Sequence, residues 1–127
     1  MLKRIIPSLA GSIIGSIVFV FFGLLILRLF LMVNHQSRSG WEDLIYGILM
    51  VIIMHPLGSA IGGWVVLRNH LKHGVVWLCF LAGYSGVGVV MLLAEPLGLN
   101  QNTNLLMSLI YIMPVLAVQV ILQFYSK

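Results

Sequence analysis

The stretch IIPSLAGSIIGSIVFVFFGLLILRLFLMV, from Ile5 to Val33, decides the fold: it is overwhelmingly apolar and carries Arg28 as its one charge. About 20 such residues cross the hydrocarbon core of a bilayer, so this segment spans with tilt or protrudes. A helix on a water-soluble protein would keep a polar face. Ahead of it, Met1-Leu2-Lys3-Arg4 resembles the start of a signal peptide, but the apolar run far exceeds the roughly 7–15 residues of such a leader. The small-residue pattern Ser8-Leu9-Ala10 falls before most of that run. The expectation is an uncleaved first helix that anchors the chain.

Three further apolar segments follow, over about Leu44–Leu67, Gly74–Ala94 and Leu105–Phe124, each near the minimum spanning length. The chain of 127 residues is 61% apolar and 8% charged, against about 45–50% and roughly 25% in a globular domain. Such a composition cannot cover a water-facing surface. The predicted fold is therefore an all-α membrane protein, a compact bundle of four transmembrane helices forming a single domain over residues 1–127. Cys79 is the one cysteine, which removes intrachain disulfides and dithiol chemistry.

Helix ends carry chemical signals. Ser39 and Glu42 have the S-x-x-E spacing of a capping box for the second helix. Pro96 stops the third, and Thr103 or Asn104 can cap the fourth. Trp41 marks one interface, with Trp64 and Trp77 near the other. Four spans put Lys3, Arg4, Arg68, Lys72 and Lys127 on one side, against Arg38 and the embedded Arg28, which can snorkel to the opposite interface. Lys and Arg are retained in cytoplasmic loops, so both termini are expected in the cytoplasm, in a plasma or inner membrane, with an internal membrane such as the thylakoid left open. The formal charge of +4 is spread over ends and loops, not clustered as on a nucleic-acid surface.

Periodicity at about 100° per residue assigns faces. Ser8, Gly11, Ser12, Gly15, Ser16 and Gly23 share one side of the first helix. Gly47, His55, Gly58, Ser59, Gly62 and Gly63 share one side of the second. The pattern Gly-Ser-x-x-Gly occurs at Gly11–Gly15 and again at Gly58–Gly62, at matching depth, which suits close backbone approach where lipid is the solvent. The third helix presents Cys79, Ala82, Gly83 and Gly86, with Tyr84 pointing elsewhere. The fourth gathers Asn104, Ser108, Tyr111, Gln119 and Gln123 in one arc, which predicts an inward polar seam where Ser12, Ser16, Ser59 and Gln119 can meet.

His55, followed by Pro56, stands at the centre of the second helix, and Pro114 bends the fourth; kinks free carbonyls and can make a cavity or hinge. The candidate intramembrane polar site is His55, Ser59, Ser108, Tyr111 and Gln119. His70 and His73 are a possible two-ligand edge, but Arg68 and Lys72 oppose a cation there, so no metal is expected. Glu42 and Asp43 suit the helix dipole, and Glu95 a boundary. No carboxylate pair, H-E-x-x-H or serine-base motif supports an enzyme, and haem ligation would need a second deep histidine. No cofactor is expected. The leading expectation is an accessory, assembly or structural subunit working through helix packing, with lipid and other transmembrane helices or a homo-oligomer as partners. The alternative is an oligomeric channel or transporter lined by His55, Ser59 and Gln119.

Overall fold

The computed structural model describes residues 2–33, 40–71 and 74–126. They form α1 (Leu2–Val33), α2 (Gly40–Leu67), α3 (Val75–Ala94) and α4 (Thr103–Tyr125), with short 3-10 turns at Arg68–His70 and Leu99–Gln101. All four helices are long and apolar enough to cross a membrane. Ile14, Phe21, Leu92, Val120 and Phe124 are exposed, a surface that water would not tolerate and acyl chains match. The protein is a multi-pass, all-helical membrane protein.

Helix ends agree with expectation at the start of α2 and differ from it at the start of α4. α2 begins at Gly40 and takes Glu42 and Asp43 into its first turn, where carboxylates offset the helix dipole. The fourth helix is capped by Asn102, whose side-chain oxygen accepts from the Leu105 N–H at 3.1 Å. Thr103 and Asn104 are already helical, so they cannot serve as the residue that turns back onto the first free N–H groups. The Ser39 half of the predicted capping box, with Arg38, Lys72, His73 and Lys127, lies outside the described residues. α3 ends two residues before Pro96, and the chain reverses through Gly98 at φ +64°, a left-handed conformation that glycine adopts without strain.

Among the described residues, α2 touches every other helix, α1 packs chiefly on α2, α3 packs chiefly on α4, and α1 and α3 do not meet. The α1–α2 contact is made by the two Gly-Ser-x-x-Gly segments. A methyl group on Gly62 would stand 2.9 Å from the Gly15 Cα and collide with the Gly11 carbonyl. One on Gly58 would stand 2.8 Å from the Ser16 Cα. The obstacles are backbone atoms, which cannot swing aside, so these glycines let the antiparallel helices approach to main-chain contact. Farther along, Gly23 receives Met54, so α1 stays on α2 over most of its length.

The glycines of α3 seat the two prolines. A methyl group on Gly83 would stand 3.2 Å from the Pro56 Cβ, and one on Gly86 would stand 3.1 Å from the Pro114 Cα. Both prolines are fully buried. Thus Gly11, Gly15, Gly58, Gly62, Gly83 and Gly86 are occupied within this chain, the first four by the close α1–α2 approach that their matching depth suggested. Cys79 is buried in the core with Ala60, Leu67, Val75, Val118 and Leu122.

Candidate functional site

Each proline removes one backbone N–H and opens the preceding turn. In both kinks the carbonyl three residues before the proline accepts a hydrogen bond from a neighbouring helix. The Tyr84 hydroxyl on α3 donates to the Ile53 carbonyl on α2 at 3.0 Å. The His55 Nε2–H on α2 pairs with the Tyr111 carbonyl on α4 at 2.8 Å. A carbonyl only accepts, so Nε2 carries the proton, and in a neutral ring Nδ1 is then the acceptor. The His55 ring also meets the Tyr111 ring edge to face, with centroids 5.1 Å apart. His55 is 5% exposed. Tyr84, read from periodicity as pointing away, is therefore a third member of the kink junction. Its own helical face gave no signal, because the carbonyl it meets belongs to another helix.

A second polar group joins α1 to α4. The Gln119 amide nitrogen donates to the Ser12 Oγ at 2.9 Å, and the Gln119 Oε1 accepts from the Ser8 hydroxyl at 2.7 Å. Gln123 donates to the Ser8 Oγ at 3.4 Å. Ser8 and Ser12 are fully buried and Gln119 nearly so. One glutamine thus bridges two serines a helical turn apart, satisfying both ends of its amide away from water.

The remaining candidates fall elsewhere. Ser59 is buried but donates to the Pro56 carbonyl of its own helix at 2.9 Å. Ser16 donates to the Ile13 carbonyl at 2.8 Å. Ser108 is exposed and donates to the Asn104 carbonyl at 2.8 Å. The structure therefore resolves the predicted seam into two centres. His55 and Tyr111 meet at the kinks, and Gln119 meets Ser8 and Ser12 near the end of the bundle where α1 begins and α4 finishes.

Beyond that bridge, α1 and α4 part around a groove of about 580 Å³. Ile13, Ile17, Val20 and Phe21 form one wall, Ile112 and Leu116 the other, with Ser16, His55 and Tyr111 as polar members. The α1 wall extends from Leu9 to Leu24, about 22 Å at 1.5 Å per residue. Among the described residues, no cluster of three or more His, Cys, Asp or Glu side chains is placed to hold a metal ion. Compared with protein-family models, curated proteins and solved structures, the chain matches none.

Proposed function

We propose that this protein is a small accessory or assembly subunit whose α1–α4 groove receives the side chains of a partner's transmembrane helix. The observation that supports this reading is the shape of the groove: long, running along α1 and α4, and apolar apart from Ser16, His55 and Tyr111. A solute site would be compact, with several polar groups converging on it. Here the serine, glutamine and histidine groups are engaged with one another or with backbone. The excess of Lys and Arg on the side holding both termini supports a cytoplasmic placement of those termini in a plasma or inner membrane.

A photo-crosslinking residue at Ile17, on the groove wall, is expected to capture one transmembrane partner in native membranes. The same residue at Leu92, exposed on α3, is expected to capture none. Substituting Ile17→Trp fills the groove and should release the partner from complexes purified in mild detergent, with the melting temperature of the isolated protein unchanged. The oligomeric channel reading draws on the two kinks beside His55. Liposomes containing this protein alone separate the two: solute flux that His55→Leu abolishes would replace the accessory reading. For orientation, outside-only labelling of Ser126→Cys in intact cells would refute cytoplasmic termini.

A further inference from the structure

Along the α1–α4 groove, one hydrogen-bond acceptor and one donor are left open side by side. His55 spends its Nε2–H on the Tyr111 carbonyl, so in the neutral ring Nδ1 is an acceptor. Nδ1 has no partner among the described residues, yet no side-chain nitrogen or oxygen among them is both buried and unpaired. Nδ1 therefore keeps some accessible surface, and the opening that His55 borders is this groove. Tyr111 borders it too and is 44% exposed. It bonds through its carbonyl, and its hydroxyl has no partner among the described residues. By contrast, the hydroxyls of Tyr84, Ser16, Ser59, Ser85 and Ser108 all donate to carbonyls. The His55 and Tyr111 rings meet edge to face with centroids 5.1 Å apart, so the two open groups lie at one depth without bonding each other. Tyr111 is eight residues past the start of α4, about 12 Å from that end. An unbonded hydroxyl there faces acyl chains, which offer it no acceptor.

We propose that the occupant of this groove is a second copy of the chain, related by a two-fold axis along the membrane normal, with the Tyr111 hydroxyl of each copy donating to Nδ1 of the partner's His55. This rests on the helix-docking reading of the groove and names its partner. Symmetry selects the second copy. Two copies related by such an axis hold every residue at the depth of its counterpart, so a donor and an acceptor that share a depth and a groove in one copy face their complements in the other. One contact, made twice, then satisfies four open groups. A foreign helix bearing a single hydroxyl would serve His55 and leave Tyr111 open, and one offering a single carbonyl would do the reverse. The apolar walls around Ile17 and Leu116 supply the van der Waals contact that association in lipid requires.

The experiment measures energy transfer between full chains carrying donor or acceptor dye at Ser126→Cys, in a Cys79→Ala background, in phosphatidylcholine liposomes over a range of protein-to-lipid ratios. Transfer is expected to rise with that ratio and to vary linearly with the acceptor fraction, as a dimer requires. Tyr111→Phe breaks no hydrogen bond within a copy and should weaken the dimer about tenfold, the worth of two interhelical hydrogen bonds. His55→Leu should weaken it as much, and the double variant no further, because the same two bonds are lost. A mixed pair, one copy with Tyr111→Phe and the other with His55→Leu, keeps one of the two bonds and should associate about threefold more tightly than either variant with itself. A monomer at every ratio, wild-type association of Tyr111→Phe, or a mixed pair no tighter than the separate variants would overturn the proposal. Ile17→Trp separates this failure from that of the docking reading. A chain that stays monomeric while a crosslinker at Ile17 captures a different membrane protein leaves the docking reading standing and removes the second copy. A dimer that Ile17→Trp leaves intact lies outside the groove, and both readings then fall.

Discussion

The two ends of the bundle are built from the same four helices and differ in how closely those helices approach. Where α1 begins and α4 finishes, glycines bring α1 onto α2 at backbone contact and Gln119 ties Ser8 and Ser12 to α4. At the other end α1 carries Phe21, Phe22, Leu24 and Leu25, its Gly23 is turned to Met54 of α2, and grooves separate it from α4. Both ends are apolar in composition, so hydrophobicity cannot explain the difference. In lipid, helices hold together by close van der Waals packing and interhelical hydrogen bonds, and both require small or bridging side chains at the contact. The change in α1 from serines that reach α4 at Ser8 and Ser12 to bulky side chains after Ile17 is therefore what leaves one end closed and the other able to receive an occupant.

Substitutions at the closed end should be the most damaging. Gly62→Leu forces a side chain into the Gly11 and Gly15 backbone and is expected to cost about 3 kcal/mol, the upper part of the overpacking range. Denaturant unfolding in mild detergent measures this, and Gly88→Leu should show no loss. A tolerated Gly62→Leu would break the comparison. Gln119→Leu removes two interhelical hydrogen bonds and should cost about 1–2 kcal/mol by the same measurement. The double variant Ser8→Ala, Ser12→Ala should then add little to it, because one network is lost either way.

The kink junction lies between the two ends, and its effects should be smaller. His55→Leu removes the donor to the Tyr111 carbonyl and should cost about 1 kcal/mol. Tyr84→Phe removes the donor to the Ile53 carbonyl from a more exposed position, and about 0.6 kcal/mol is expected. If Tyr84→Phe cost more than Gln119→Leu, the junction and not the closed end would hold the bundle together.

The four spans were legible because twenty apolar residues have few other uses, and the α1–α2 crossing was legible because two identical small-residue patterns lie at one depth. Pairing Ser12 with Gln119 followed from depth as well. Ser108 shows where that reasoning stops. Its arc is shared with Gln119, yet a serine that bonds its own helix at Asn104 can face outward at little cost, and periodicity cannot tell the two states apart. Tyr84 and the grooves were illegible for a related reason. They depend on which carbonyl a kink exposes and on where two helices part, and both are set by partners distant in the chain.

The central claim is that α1 and α4 are joined at one end and parted at the other. Pulsed electron paramagnetic resonance in nanodiscs tests it directly, with spin labels on exposed positions paired by depth, Ala10 with Val120 and Leu25 with Leu105, in a Cys79→Ala background. The account predicts a clearly shorter distance for the first pair than for the second. Equal distances at the two depths, or a shorter one between Leu25 and Leu105, would contradict it.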